Sequence, residues 1–273
     1  MPATLDRSHY KQNRALRFAT LAAAAALIVP ATIAWQPPAG GPPPGEKGQK
    51  KGGGMMRRAP VPDDNAGFTP IFDGQSLNGW EGEAGFWRAD GGAIVGETTA
   101  EKTLKTNTFL IWRAGTTADF EFKAEFRITE TGNSGVQYRS TNLTDVGKFV
   151  LKGYQADIDG RNNFTGMLYE ERGRGFVAPR GQFVRMPAEG GPKLIGSPGD
   201  NEALKEVIKA GDWNQIHIIA RGITIIQVIN GRVMSMCIDE DPKGRAMEGL
   251  LGLQLHVGPP MKIEYKNVLL KKL

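Results

Sequence analysis

Apolar and polar residues alternate along much of the chain after residue 65, which is the pattern of strands that bury one face. The clearest case is the segment DFEFKAEFRI, in which Phe120, Phe122, Ala124, Phe126 and Ile128 fall on the same side. This period of two predicts a strand whose apolar side faces a core.

Similar segments follow one another to the end of the chain. They include NTFLIWR, SGVQYR, GYQADID, WNQIHIIA, ITIIQVI, RVMSMCI, GLLGLQLHV and MKIEYKNVLLKK. Turn signals separate them, at Asp73-Gly74, at Asp90-Gly91-Gly92 and at Asn230-Gly231, and the last of these predicts a type I′ hairpin. About a dozen short strands with almost no helix predict an all-β sandwich or jelly roll.

Two segments depart from the alternation. Residues 175–200 are rich in Gly and Pro, and we predict a long loop there. Residues 201–210 carry apolar positions at helical spacing, so we predict one short helix that ends at Gly211 as its C-cap.

The beginning of the chain has the pattern of an export signal over residues 1–34. Arg14 and Arg17 precede an apolar run from Phe18 to Val29, and Ala34 offers a small residue for cleavage. The run is shorter than the roughly 20 residues that a membrane-spanning helix needs. We therefore expect a periplasmic or extracellular protein with no membrane span in its mature form, and an uncleaved anchor is the alternative.

Residues 35–64 are dominated by Pro, Gly and Lys, which predicts a disordered linker before a single domain over 65–273. Residues 1–64 hold nine Lys/Arg and four Asp/Glu, so the net charge of +5 lies there and the domain is neutral. A neutral domain argues against nucleic acid as a partner. The single cysteine, Cys237, excludes an intramolecular disulfide and a multi-cysteine zinc site.

The richest concentration of polar and aromatic side chains is the segment GYQADIDGRNNFTGMLYEERGR, residues 153–174. It begins as a strand in which Tyr154 and Ile158 oppose Gln155 and Asp157. A second short strand follows a polar turn, and a charged cluster ends the segment. We expect a good share of any chemistry to lie here.

Strand alternation identifies which polar side chains point away from the core. In GLLGLQLHV, three leucines (Leu251, Leu253 and Leu255) oppose Gln254 and His256. If the apolar sets face the core, the polar side chains on outer faces are Gln137, Arg139, Gln155, Asp157, Gln254 and His256.

Several motifs taken together are specific. GFTPIFDGQSLNGW, NSGVQYRS, GYQADI, TGMLYEERGR, WNQIHIIARG and GLLGLQLHVGPPMKIEYKNVLLKKL occur in order over residues 67–273. This chain thereby resembles the 3-keto-disaccharide hydrolase domain family, formerly a domain of unknown function. The resemblance implies a concanavalin-like jelly roll of two antiparallel sheets, in an exported bacterial protein with a carbohydrate substrate.

The resemblance also implies a reaction. A 3-keto group acidifies the neighbouring C2 proton, so a base can remove it and an acid can protonate the departing C1 oxygen. We expect Asp157 and His256 to supply acid/base chemistry and Arg139 to hold an oxygen, with Glu170 as a further catalytic candidate. The candidates for binding the sugar are Gln137, Gln155, Tyr169, Arg172 and Gln254.

Other interpretations of the same residues stay open. The domain is alternatively a non-catalytic carbohydrate-binding module, and the charged run from Glu170 to Arg174 is alternatively a solvated loop. No cofactor site is evident, although His256 and Asp157 with a Glu would suit a divalent cation. The sequence has no GxSxG or HExxH motif and no pair of carboxylates at glycosidase spacing.

Overall fold

The computed structural model describes residues 64–273. The predicted export signal (1–34) and linker (35–64) lie outside the described residues except for Asp64. Within the described part of the chain, no helix has the length and apolar character required to cross a membrane.

The described residues form seventeen strands and one helix. In chain order these elements are β1 (Thr69–Pro70), β2 (Trp80–Glu81), β3 (Trp87–Asp90), β4 (Ala93–Thr98), β5 (Thr108–Thr117), β6 (Phe120–Ile128), β7 (Asn133–Asn142), β8 (Leu151–Asp159), β9 (Leu168–Glu171), β10 (Gly175–Ala178), β11 (Gln182–Met186), β12 (Lys193–Gly196), α1 (Asn201–Lys205), β13 (Asn214–Arg221), β14 (Thr224–Ile229), β15 (Arg232–Asp239), β16 (Gly249–Leu255) and β17 (Met261–Lys272).

The strands form a jelly-roll sandwich, as the sequence predicted. A ten-stranded sheet has the order β12-β11-β15-β14-β13-β6-β17-β4-β3, with β1 also paired to β17, and a seven-stranded sheet has the order β10-β9-β8-β7-β16-β5-β2. Inward-facing apolar side chains from both sheets form one core, including Phe122 and Ile263 from one sheet and Val136 and Leu253 from the other. Burial of this surface is the main contribution that stabilises the sandwich.

The prediction of a long loop over residues 175–200 is wrong. Strands β10, β11 and β12 lie within this range. β11 pairs in parallel with β15, so the ten-stranded sheet is not purely antiparallel. These strands have four or five residues each and are separated by Gly and Pro, so they lack the long alternating run that marks the others.

The short helix is confirmed, although it ends earlier than predicted. It spans Asn201–Lys205, and the Asp200 side chain caps it by accepting hydrogen bonds from the backbone N–H groups of Glu202 and Ala203. Its C-cap is Glu206 rather than Gly211.

The predicted hairpin between β14 and β15 is present. Asn230 and Gly231 have φ angles of 49° and 76°, the positive values that a type I′ turn requires at both central residues. The Asn230 side chain also donates to the backbone oxygen of Val207 at 2.9 Å and accepts from the backbone N–H of Gln215 at 2.8 Å. The turn therefore ties the hairpin to the segment after α1.

Candidate functional site

The outer face of the seven-stranded sheet carries a cleft, which we call the outer-face cleft. Its position follows from the alternation that runs through β16 into the next residue: Leu251, Leu253 and Leu255 are buried in the core, while Gln254 and His256 line the cleft. The cavity has a volume of about 280 Å³. Its lining residues are Asn107, Asn133, Gln155, Asp157, Phe164, Tyr169, Glu171, Phe176, Gln254 and His256.

A chain of side-chain amides crosses the floor of this cleft. Gln155 Nε2 donates to Asp157 Oδ1 at 2.6 Å and, at 3.4 Å, to Gln254 Oε1 on β16. Gln254 Nε2 in turn lies 3.4 Å from Glu171 Oε2. The amides thus link two carboxyl groups, Asp157 and Glu171, across strands β8, β16 and β9.

Gly135 makes this crossing of β7 geometrically feasible. It pairs directly with Asp157, and a Cβ atom at Gly135 would lie 2.6 Å from the Gln155 side chain. Any larger residue would displace Gln155, so this position requires glycine for close approach.

Asp157 is the most strongly perturbed carboxyl group of the cleft. Only 7% of the residue is exposed, and burial raises its pKa to about 8, with the charges of Asp159 and Glu171 acting in the same direction. The hydrogen bond from Gln155 opposes this shift of the pKa. Asp157 is therefore largely protonated at neutral pH and can donate a proton.

Tyr169 and His256 add two further proton-bearing groups. Burial, followed by the charges of Glu171 and Asp157, raises the pKa of Tyr169, which keeps the hydroxyl protonated as a donor. The Nδ1 atom of His256 lies 2.5 Å from the backbone oxygen of Val257. Because a carbonyl oxygen only accepts, Nδ1 is the donor of this hydrogen bond, and Nε2 is the ring nitrogen left for a ligand.

One wall of the cleft is aromatic. The rings of Phe164 and Phe176 stack with 5.4 Å between centroids, and Tyr169 meets Phe176 edge to face at 5.1 Å. Phe164 and Phe176 are 38% and 46% exposed. Asp159 shapes this wall, because its carboxylate accepts hydrogen bonds from the backbone N–H of Phe164 at 2.8 Å and of Asn163 at 3.0 Å.

The prediction that Arg139 holds a substrate oxygen is wrong. A β-bulge interrupts the pairing of β7 with β8 between Tyr138 and Thr141, and Arg139 adopts a φ of 47° there. Its side chain leaves the outer face and donates to the backbone oxygens of Ala118 and Gly222, each at 2.8 Å. Arg139 is only 2% exposed and joins two turns of the sandwich.

The prediction for Glu170 is also wrong. Glu170 pairs with Tyr154, a core residue, and so faces the interior of the sandwich. There its carboxylate accepts a hydrogen bond of 2.5 Å from Arg174, which also binds Asp239. The neighbouring Glu171 is the carboxylate in the outer-face cleft.

Two of the predicted sugar-binding residues take other places. Gln137 is fully buried beneath the cleft, where it donates to Gln155 at 3.3 Å and accepts from Ser140 at 3.0 Å, so it supports Gln155 and does not reach a ligand. Arg172 lies at the margin, where Nη2 donates to Thr106 Oγ1 at 3.3 Å and Nε is 3.9 Å from Glu171. Gln155, Asp157, Tyr169, Gln254 and His256 do line the cleft.

Five residues that line the cleft were not predicted from the sequence: Glu171, Asn107, Asn133, Phe164 and Phe176. For Glu171 a signal was available, because alternation in β9 places it on the same face as Tyr169. For Phe164, the signal was an aromatic residue in an otherwise polar turn. The asparagines lie at strand ends and carry no signal in the sequence.

Within residues 64–273, no three His, Cys, Asp or Glu side chains come close enough together to hold a metal ion. No hydrogen bond or ion pair joins His256 to Asp157 in this described part, although both line the same cleft. Cys237 is buried in the core, and burial raises the pKa of its thiol to about 12.

Comparison with known proteins finds a matching family model and similar folds. The sequence model of the 3-keto-alpha-glucoside-1,2-lyase-like domain matches residues 67–271. A candidate glycosyl hydrolase from Parabacteroides distasonis, solved at 1.70 Å, superposes with a TM-score of 0.51 at 20% identity, covering 76% of this chain and 94% of its own. A second such protein from the same organism has a TM-score of 0.50 at 19% identity, with 76% and 99% covered. At these identities the structural likeness shows a shared fold. Among curated proteins, none matches this chain significantly in sequence.

Proposed function

Because the chain belongs to the family of 3-keto-alpha-glucoside-1,2-lyase-like domains, we propose that it cleaves 3-keto-glycosides in the outer-face cleft. The bond to the group at C1 is broken by removal of the C2 proton and elimination. We also propose that the protein acts outside the cytoplasm, on the strength of the basic and apolar pattern of residues 1–34.

The observation that carries the proposal is a buried carboxyl group of raised pKa, Asp157, in the same cleft as the imidazole of His256. Asp157, with a pKa of about 8, is a proton donor near neutral pH. His256 offers Nε2 as an acceptor, because its Nδ1 hydrogen is engaged by Val257. Acid/base catalysis of an elimination needs one group of each kind.

The reaction balances with these two groups. Nε2 of His256 takes the C2 proton, which the C3 ketone acidifies, and a C1=C2 double bond forms as the C1–O bond breaks. Asp157 gives its proton to the departing oxygen, which leaves as an alcohol. Addition of water across C1=C2, with the His256 proton returned to C2 and a water proton to Asp157, regenerates both groups and completes a net hydrolysis.

Other residues of the cleft can stabilise the enolate and bind the sugar. The Tyr169 hydroxyl is a donor for the enolate oxygen that develops at C3. Glu171 accepts from sugar hydroxyl groups, and its charge helps to keep Asp157 protonated. Phe164 and Phe176 offer exposed ring surface for the apolar face of a sugar ring.

The same aromatic wall favours a second candidate, a carbohydrate-binding module without turnover. Exposed, stacked aromatic rings beside polar side chains are a means of binding sugars as well as of positioning a substrate. The two candidates differ in whether a bound 3-keto-glycoside is consumed.

The test is to incubate the full chain with the 3-keto derivative of a disaccharide and with the unoxidised parent, and to measure the released monosaccharide. We expect release from the 3-keto form alone, and a slower rate when C2 carries deuterium. His256→Gln should lose at least about 100-fold in activity, as expected for a lost general base, whereas His217→Gln on the other sheet should retain it. Binding of both sugars without release by the wild type would favour the binding module.

A further inference from the structure

A second concavity lies beside the outer-face cleft, and we call it the aglycone groove. It has a volume of about 280 Å³, and its lining combines the apolar side chains of Phe86, Leu104, Phe149 and Val150 with Glu83, two lysines, three threonines and a glycine. Thr103 and Lys105 are among its exposed lining residues. The two cavities are comparable in volume but differ in chemistry, since amides and carboxyl groups dominate the outer-face cleft.

One short segment forms the wall between the two cavities. Thr106 and Thr108 line the aglycone groove, and Asn107, which lies between them, lines the outer-face cleft. Asn107 also accepts a hydrogen bond of 3.0 Å from the backbone N–H of Val257, next to His256. A group attached to a sugar in the cleft therefore has the groove as its neighbour.

Hydrogen bonds join the segment that separates the two cavities to the end of β9, at the opposite side of the cleft. Thr106 accepts from Arg172 at 3.3 Å, and Asn107 donates to Glu171 Oε1 at 3.4 Å. Glu171 and Arg172 follow one another at the end of β9, so the wall segment and the β9 end meet above the floor. The wall between the cleft and the groove is thus held by residues that line or border the cleft.

We propose that the aglycone groove binds the leaving group of the substrate, and that this group is an aryl alcohol. The inference rests on the proposed function for its chemistry, since the leaving group departs from C1 with the proton of Asp157. The groove is large enough for one aromatic ring, because a cavity of about 150 Å³ admits benzene.

The apolar side chains in the aglycone groove favour an aryl group over a second sugar as the leaving group. A hexose presents several hydroxyl groups, each of which loses hydrogen bonds to water when it meets an apolar wall. Phe86, Leu104, Phe149 and Val150 offer no polar side-chain atoms.

The experiment compares the full chain on 3-keto derivatives of 4-nitrophenyl α-glucoside, methyl α-glucoside and an α-linked diglucoside. KM is compared rather than kcat, because aryl groups are intrinsically better leaving groups. We expect KM for the aryl substrate to be at least about tenfold lower than for the other two, the discrimination that an apolar pocket provides.

Thr103→Arg fills the groove from its exposed rim, and Thr144→Arg on the exposed loop before β8 is the matched control. Thr103→Arg should raise KM for the aryl substrate at least about tenfold more than for the methyl substrate, since it blocks one apolar contact surface. Free 4-nitrophenol, titrated by calorimetry, should bind the wild type and the Thr144→Arg and Asp157→Asn variants, but not Thr103→Arg.

The outcomes separate this inference from the proposed function. If all three 3-keto-glycosides are turned over and Thr103→Arg changes their KM values equally, the proposed binding of an aryl leaving group in the groove is wrong. The proposed elimination reaction would still stand. A lower KM for the diglucoside than for the aryl substrate would also contradict the binding of an aryl leaving group in the groove. Binding of 4-nitrophenol that Thr103→Arg abolishes, without turnover of any 3-keto-glycoside, would support the groove and overturn the elimination.

Discussion

At the scale of single residues, Asp157 shows how a functional group is maintained at a cost to stability. Its ordinary pKa of 3.8 is raised to about 8 by burial and by nearby negative charge. In the pH range between these values the folded protein binds a proton that the unfolded chain has released. Stability therefore falls as the pH rises through this range, and it is greatest below the pKa of the unfolded state.

This linkage predicts the behaviour of Asp157→Asn. The amide carries no charge, so the stability of the variant should not fall as the pH rises through this range. At pH 8 the variant should be more stable than the wild type by about 1–3 kcal/mol. Melting temperatures of both proteins between pH 5 and pH 8 provide the measurement. Asp145→Asn on an exposed loop is the control, and a gap between wild type and Asp157→Asn that does not widen with pH would contradict the prediction.

The same carboxyl group should also shape the activity profile. If Asp157 protonates the leaving oxygen, kcat/KM should decline as the pH rises through about 8, because the donor is then lost. Asp157→Asn should be inactive on alkyl 3-keto-glycosides at every pH. The variant would thus exchange activity for stability, which is common at sites that bury a polar group.

Neighbouring residues can have opposite roles in a strand. Glu170 and Glu171 are chemically equivalent, yet one faces the core and pairs with Arg174 while the other faces the cleft. A buried carboxylate with a guanidinium partner is a structural feature, since removing either partner leaves an unpaired buried charge. Strand alternation, rather than residue type, separates the two.

At the scale of elements, the β14–β15 hairpin depends on its turn. Gly231 has a φ of 76°, and no atom lies within 4 Å of where its Cβ would be, so a substitution there acts through backbone strain alone. Gly231→Val should lower the free energy of unfolding by about 1–3 kcal/mol. Gly231→Asn is the matched control, because asparagine tolerates the left-handed region, and urea denaturation measures both. Equal losses for Val and Asn would show that strain is not the cause.

The end of β9 illustrates how one turn positions part of the site. Arg174 follows this turn and binds both Glu170 and Asp239, at 2.5 Å and 2.6 Å. Arg172 within the turn has a φ of 56°. The turn is therefore anchored in the core on one side while Glu171 and Arg172 reach over the outer face on the other.

At the scale of the whole molecule, the sandwich over residues 64–273 should not require the preceding segment. Lys123 is held by the backbone oxygen of Asp64 and by the Asn65 side chain, and β1 pairs with β17. Deleting residues 1–60 keeps all of these contacts, so the melting temperature should change by less than about 2 °C. A deletion through residue 70 removes them and should lower it by about 4 °C or more. A large loss on the shorter deletion would show that residues 1–60 contribute to stability.

The sequence by itself determined the features that depend on local chemistry. Alternation identified most strands and the faces of β8 and β16, because side chains one residue apart in a strand point to opposite sides. Asn230-Gly231 identified a turn, because few other residues tolerate positive φ at both positions. Motif order identified the family. The position of Asp157, His256, Gln155 and Gln254 on the outer face was therefore predicted without coordinates.

Only the tertiary structure decided what depends on the approach of distant segments. The bulge at Arg139 reverses local alternation, and no residue pattern announces it. β11 is a strand because β15 lies beside it in parallel. Glu171 on β9 comes within hydrogen-bonding distance of Asn107, which precedes β5, although three strands separate β9 from β5 in the sheet. That contact, and with it the wall between cleft and groove, depends on where the whole sheet places the two segments, which many residues set together and none of them encodes alone.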